Sequence, residues 1–575
     1  MKRIKEIRIR NFKAFQKDNR QFKINGKNVL VFGNNGSGKS SLFWALYTFL
    51  QSSGKTNEEV QKYFKNYTIS DPKTHQTLKN IFMGETEDSY VKVTSIDSDT
   101  NETKNYTISH GTINTNSDSD TIIQELNLAS DFINYKLLHN FYRASHRQQV
   151  NLWPVFERDI FPFLAEGTQN LLEDIIKTPT LDIPRDAGGR SVYGRQRELY
   201  VNKLSVLNTK IQDILDEIQG HANDFIKNEF FAGKDVIRIS LIFSKKFNFQ
   251  KVHTKLWGEN KEAERYNLLH IKLSVELFEE KPTPQWKSIE RVQSFLNEAQ
   301  LTRIAIGIRI GALLTRPLAE ARFKILVLDD MLISLDLSNR VDVVRIILNK
   351  DRKESLSFFD EFQKFIFTHD KGLFNLIRRN TNEENWVYYN FNKDESDNSP
   401  PTIRADLTSL QKAAKYFDEN EFENCGNELR KEAEAILDNF LDPDLKLLDQ
   451  KFQGLKQKLG DAFKKLTEKR FKDFNIAFLT DLEPEKLQKI KEDYHSDDSL
   501  TTGEKRKLTI LKTKMSDFLI NFNEEGTRKE QLISETKEIL DRVMNTASHH
   551  GENELYRAEL KDAIEKMKDL KEHLR

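Results

Sequence analysis

Glycines at positions 33, 36 and 38 of the stretch FGNNGSGKSS, Phe32 to Ser41, are followed directly by Lys39 and Ser40. Residues without a Cβ let successive backbone N–H groups curl around an anion. A lysine placed next can reach the β and γ oxygens of a nucleoside triphosphate, and the hydroxyl after it can ligate Mg²⁺. Gly33, Asn34, Asn35, Gly36, Ser37, Gly38, Lys39 and Ser40 fit that spacing, with Ser41 closing the segment. Such a site needs an acid at the end of a neighbouring strand to hold the metal. The run Ile325 to Leu328 supplies it, ending in Asp329 and Asp330. Asp329 is placed to serve the metal, and Asp330, one residue on, to polarise an attacking water. The chemistry this predicts is binding and hydrolysis of ATP with Mg²⁺.

The elements that must position these residues are legible as patterns. Val29 to Phe32 reads as a buried parallel strand and LFWALYTFL as a helix, so the loop lies in a strand, glycine loop, helix context. The opening IKEIRIRNFKAF alternates as a strand does, and polar sequence from Glu58 to about Asp120 carries short strand candidates such as SYVKVTSI. Helical spacing covers Thr121 to Leu172 and Arg197 to Asn228. VIRISLIF and LLHIKLSVELF read as strands, Glu298 to Leu314 as a helix, and KFIFTHD and NWVYYNF as further strands. Near KDESDNSPP, residues 393 to 401, the composition turns charged and proline-bearing, which marks a boundary; beyond it everything reads as helix.

Composition narrows the class. A chain of 575 residues predicts two to four domains. Its formal net charge is zero although 31% of residues are charged, so no global field draws it to nucleic acid. Local basic patches remain, MKRIKEIRIRNFKAFQK at the start and KFQGLKQKLGDAFKKLTEKRFK from Lys451, readable as solvated faces or as binding surfaces. Cys425 is the only cysteine, which excludes a disulfide framework within one chain. The charged start has no apolar leader and no apolar run is long enough to span a bilayer, so a soluble cytoplasmic protein with no membrane partner is expected.

LVLDD followed by SLD resembles the Walker B motif and D-loop of the ATP-binding-cassette ATPases of chromosome maintenance and repair, the SMC, Rad50, RecN and RecF group. The other motifs of that group occur in order. IRNFKAF resembles the N-terminal strand whose basic residue, here Arg10, lies near the nucleotide. In ASHRQQVNLW, Gln148 or Gln149 matches the Q-loop glutamine that contacts Mg²⁺ and water. FLNEAQLTRIAIGIRIGA resembles the signature motif and its helix, with Asn297, Glu298 and Ala299 in place of the usual residues. His369 ends a strand as the switch histidine does, and Asp336 is the D-loop aspartate. The resemblance implies an α/β fold: a P-loop NTPase of ABC type forming a head with a short helical insertion, followed by an all-α C-terminal domain. The head is expected over residues 1–395, with lobe I to about 165, the insertion about 165–228 and lobe II about 229–395; the helical domain follows over 405–575.

It further implies that each ATP is sandwiched between the phosphate loop of one subunit and the signature of another, making the active unit a homodimer or higher oligomer of heads. Asp330, shorter by a methylene than the group's usual Glu, implies slow turnover. Glu298 places an anion toward the γ-phosphate. Heads of this kind with added effector domains resemble the ATPases of bacterial anti-phage systems such as Septu, Lamassu and retron loci. Their resemblance implies control of a nuclease or other effector subunit. A RecF-like repair ATPase that clamps DNA is the alternative.

In the C-terminal part, Arg542 and His549 stand seven residues apart, which puts both on one face of a continuous helix. The spacing resembles the R-x4-6-H pattern of HEPN ribonucleases, which implies an RNase acting on RNA; a structural or partner-binding helical domain is the other reading. No acidic cluster of the Toprim kind follows the cassette.

Overall fold

A computed structural model describes residues 1–16, 20–134, 150–166, 169–172, 174–175, 178, 194–248, 269–280, 283–289, 291–316, 321–330, 337–393, 399–441, 454–466, 527–548 and 556–574. The chain divides into two units, Met1–Asp406 and Leu407–Arg575.

The first unit is built on a six-stranded sheet. Its strands are β3 (Asn28–Gly33), β6 (Asp131–Asn134), β12 (Ile325–Asp329), β13 (Gln363–Thr368), β14 (Trp386–Asn392) and β15 (Thr402–Ala405), in the spatial order β15-β14-β3-β13-β12-β6. All pairings but the edge pair β14–β15 are parallel. Strands covered on both faces read as near-continuous apolar runs, and every residue of β12 and β13 is buried; the polar Gln363 and Lys364 at the start of β13 are buried only with hydrogen-bond partners. Each fully covered Ile, Leu or Val there contributes about 1.5–3 kcal/mol of burial.

An antiparallel sheet of β1 (Lys2–Arg10), β2 (Arg20–Lys23), β4 (Tyr90–Asp97) and β5 (Thr103–Ser109) lies in the order β2-β1-β4-β5. It shares one apolar core with the larger sheet and with α1 (Lys39–Gln51), through Ile7, Phe22, Val31, Leu46 and Phe391. The buried amide of Gln363 ties the two sheets: its Oε1 accepts from Ile4 N at 2.7 Å, and its Nε2 donates to the carbonyls of Ile4 and Lys27.

A second core spans Val150 to Ala312. It packs α2 (Arg195–Phe225) and α3 (Glu298–Leu314) on a sheet of β9 (Ile237–Lys245), β10 (His270–Glu279) and β11 (Gln285–Ile289). A two-residue pair, β7 (Ala165–Glu166) with β8 (Gln169–Asn170), completes the strands. On α3, Gly307 and Gly311 let the helices close: a Cβ at Gly311 would stand 2.5 Å from Ile218 O, and one at Gly307 2.6 Å from Ile226 Cγ1. Among the described residues, one edge of β9 has no neighbouring strand, and α2 covers it with side-chain amides instead. Asn223 Oδ1 accepts from Ile239 N and its Nδ2 donates to Ile239 O; Gln219, Gln212 and Asn208 accept from the backbone N–H groups of Leu241, Phe243 and Phe247. An edge that would otherwise invite another strand is thereby satisfied.

Two sequence expectations change here. Among the described residues, the helical spacing read from Thr121 to Leu172 gives α-helices over Ile122–Ala129 and Trp153–Asp159; between them, Asp131 begins the parallel edge strand β6, fixed by its register against β12. Strands β12, β13 and β14, which fall in the stretch of about 229–395 assigned by order along the chain to the second lobe, lie instead in the sheet of the phosphate loop. Apolar runs announce buried strands but do not name their neighbours.

The second unit is helical throughout its described residues. Helices α4 (Ser409–Asp418), α5 (Phe422–Leu441), α6 (Thr527–Ile539) and α7 (Arg557–His573), with a helix over 455–466, enclose a core that includes Leu429, Leu437, Leu532, Met544 and Met567. Cys425 is buried in it. Among the described residues no helix is long and apolar enough to cross a membrane.

Candidate nucleotide-binding site

Strand β3 delivers the glycine loop to the C-terminal end of the parallel sheet, and α1 starts at Lys39. Gly36 and Gly38 take φ of +78° and +98°, the left-handed region that side chains avoid. Gly33 has no room for a Cβ, which would stand 2.4 Å from Ser37 Oγ and 2.8 Å from Phe391 O. The loop curls on itself through Ser37 N to Asn34 O at 3.1 Å, and its end is held where Ser41 Oγ accepts from Ala14 N. Lys39 Nζ donates to the carbonyls of Gly33 and Asn34 at 2.5 and 3.2 Å. Burial lowers the pKa of Lys39, an effect opposed by the charges of Asp330 and Asp329.

Asp329 ends β12 one strand away from β13, itself beside β3. Its carboxyl is pushed up to about 7, first by burial and then by the neighbouring charge of Asp330, against the pull of Lys39 and of a hydrogen bond from Ser40. Asp329 Oδ1 and Ser37 Oγ are buried and have no hydrogen-bond partner among the described residues. Asp330 takes φ +52°, a conformation that Asp and Asn tolerate better than other side chains. The turn aims its carboxylate across to the end of β13: Oδ1 accepts from His369 N at 2.9 Å. His369 Nδ1 stands 3.0 Å from the same oxygen, close enough for charge contact, although its angle is not that of a hydrogen bond.

These groups face one cavity of about 840 Å³. Asn35 to Ser41 form one wall, Asp330 and His369 contribute to it, and Lys13, Ala14, Gln16, the segment Thr77 to Phe82, Lys393 and Ser399 form the rest. The structure thus brings together the glycine loop, Lys39, Ser40, Asp329, Asp330 and His369. Lys13, not Arg10, is the basic residue of the IRNFKAF stretch that lines the cavity. Arg10 ends β1 with its Nε buried and without a hydrogen-bond partner. The sequence reading also passed over Thr77 to Phe82, a stretch with no motif.

Asn297, Glu298 and Ala299 do not join this cavity. Asn297 is the N-cap of α3: its Oδ1 accepts from Gln300 N at 2.8 Å, and Gln300 Oε1 accepts from Asn297 N. Glu298 sits in the first turn, where a carboxylate complements the positive helix end. Gln148, Gln149, Asp336 and His549 lie outside the described residues. Arg542 is described and lies in a π-turn, Leu540–Met544, rather than in regular α-helix. Its guanidinium is half exposed and 3.8 Å from Glu559.

A further charged group links this sheet to α3. Asp131, fully buried at the start of β6, receives Nε of Arg309 at 2.8 Å, Nη2 of Arg309, and Nη2 of Arg316 at 3.3 Å. Arg316 Nη1 also donates to Ser130 O, and Arg309 Nη1 to Asp159 O.

The raised pKa of Asp329 gives a first prediction. A carboxyl whose folded pKa exceeds the usual 3.8 keeps a proton in the folded state that the unfolded chain has lost. Its contribution to stability therefore falls as pH rises from about 4 to 7, and above that the buried charge costs its full amount. Without Mg²⁺, Asp329→Asn should raise the melting temperature at pH 8 by a few degrees and leave it nearly unchanged at pH 4, as scanning calorimetry will show. A larger gain at pH 4 than at pH 8 would contradict this origin of the shift.

Residues 6–265 match a family described as an AAA domain. No curated protein is similar to the chain in sequence. Among solved structures it is similar to the Smc head domain with an extended coiled coil, bound to the C-terminal domain of ScpA and derived from Pyrococcus furiosus. That likeness is at 13% identity over 73% of this chain and 100% of that one, with a TM-score of 0.35. It is also similar to the recombination mediator protein RecF-ATPrS in the RecFOR pathway, at 14% identity over 68% of this chain and 96% of that one, with a TM-score of 0.38. The Smc head domain with a coiled coil and joint from Pyrococcus yayanosii matches at 11% identity over 73% and 100%, with a TM-score of 0.32. Likenesses this weak carry no argument about what this chain does. The AAA-domain match and the loop geometry support an ATPase in the first unit.

Proposed function

We propose that the first unit is an ABC-type ATPase of the SMC and RecF kind that binds and hydrolyses ATP, dimerises through its heads, and in that state regulates an anti-phage effector. The effector is either the chain's own helical unit or a partner nuclease. The observation that carries the reading is the convergence of Lys39, Ser40, Asp330 and His369 on one cavity, with Asp329 buried behind Ser40.

The residues fit Mg²⁺. The unpartnered buried Oδ1 of Asp329 and the Ser40 hydroxyl beside it are hard oxygen donors, and Mg²⁺ is commonly held by one or two protein oxygens together with substrate phosphates. Ser40 and Asp329 would hold the ion; when bound, it neutralises phosphate charge. The chain's own groups do the rest. The loop amides and Lys39 bind and orient the phosphates. Asp330, held by its hydrogen bond from His369 N, is placed to accept a proton from water as it attacks. Asn297 at the exposed start of α3 stands outside the cavity of its own chain, which suits a role across a dimer.

Asp330→Asn tests this directly, since Asn keeps both the shape and the tolerance of positive φ. ATP hydrolysis should fall about 100-fold or more while ATP binding persists, and the variant with ATP and Mg²⁺ should elute as a dimer in light-scattering chromatography. Absence of hydrolysis by the wild-type protein, or a variant that stays monomeric with ATP bound, would remove the proposal.

A further inference from the structure

The phosphate loop accounts for only one end of the 840 Å³ cavity. That volume lies in the range of pockets that enclose a whole small ligand, so the wall formed by Thr77 to Phe82 needs a role. Two residues of that wall stand out: Ile81 is 79% and Phe82 54% exposed, although large apolar side chains gain by burial. The segment carrying them is held firmly. Asn80 is buried, donates through Nδ2 to Lys13 O at 2.5 Å, and accepts through Oδ1 from Phe82 N at 2.9 Å. Lys13 N donates to Leu78 O, and Asn80 N to Asn11 O. Lys79 is buried and capped on Gly84 O. These bonds couple the exposed pair to the same stretch, Asn11 to Ala14, that steadies the phosphate loop through Ser41.

We infer that Ile81 and Phe82 form the platform on which the nucleobase of the bound triphosphate rests, with Leu78 completing the apolar surface. This rests on the reading of the loop as a triphosphate site and adds to it the recognition of the base. With the phosphates fixed at Lys39, the rest of a nucleoside triphosphate extends along the same cavity, and an aromatic ring and a branched aliphatic side chain offer it flat apolar contact. Every base has a π-face, so this contact distinguishes a nucleotide from bare polyphosphate without depending on hydrogen bonds to the base edge.

The test compares ATP with inorganic tripolyphosphate, each with Mg²⁺, by titration calorimetry on the full chain. Phe82→Ala and Ile81→Ser should each weaken ATP binding, the former by about tenfold, the scale of losing one stacking partner. Tripolyphosphate affinity should stay at the wild-type value in both. Both positions are exposed, so unchanged thermal melts will show that the variants fold. Equal weakening toward ATP and tripolyphosphate, or unchanged ATP affinity in Phe82→Ala, overturns the platform while leaving the phosphate site standing. A wild-type chain that binds neither ligand overturns the triphosphate site itself, and the platform with it.

Discussion

Replacing Lys39 with alanine is expected to weaken ATP binding by about 100-fold, because truncating one side of a buried charge pair costs about 2–5 kcal/mol. Lys39 as a residue is 4% exposed, and its ammonium is already partly desolvated and held on two loop carbonyls. Little further desolvation is needed on binding, so most of the attraction appears as affinity. Without ligand the same lysine is a buried cation with only neutral oxygens as hydrogen-bond partners in the loop. Its removal should therefore leave the melting temperature within a few degrees of wild type. Calorimetric titration with ATP and Mg²⁺ reads the first effect and a thermal melt the second. ATP affinity equal to wild type in Lys39→Ala would show that the loop does not hold phosphates.

The second large effect concerns stability. Asp131 is the only carboxylate within ion-pair distance of both Arg309 and Arg316 among the described residues, and all three side chains are almost wholly buried. Asp131→Ala would leave two guanidiniums inside the protein with backbone carbonyls and, for Arg316, the Phe163 ring as partners, and no carboxylate within ion-pair distance among the described residues. Breaking a buried pair in this way typically costs about 3–5 kcal/mol, a large share of a domain's stability. The urea midpoint followed by tryptophan fluorescence should fall markedly. Replacing all three residues by apolar ones of similar volume should recover much of the loss, because no uncompensated charge then remains. An unchanged midpoint in Asp131→Ala would mean that water reaches the arginines.

Features set by neighbouring residues were readable from sequence. The glycine loop is local: three glycines, a lysine and a serine in fixed spacing specify a backbone shape and a charge. The same holds for Asp329 and Asp330, which follow an apolar run that can only be a covered strand or helix. Partners distant along the chain were not readable. An arginine in the apolar run IAIGIRIGALL is visible, but its counter-charge lies 178 residues away. The strand Asp131–Asn134 is four residues long and adjoins a true helix, so helical spacing absorbed it. The cavity wall at Thr77 to Phe82 shows no period and gains meaning only from what it faces. The π-turn at Leu540–Met544 likewise leaves no mark in the residue pattern around Arg542.

The amides of Gln212, Gln219 and Asn223 grip β9, and that of Asn208 grips Phe247 just beyond its end, at four points along α2. To slide by one residue, the helix would have to release all four grips together. Rotation about its axis would break them just as completely. Either movement costs several side-chain-to-backbone hydrogen bonds at once, which favours α2 and β9 shifting together.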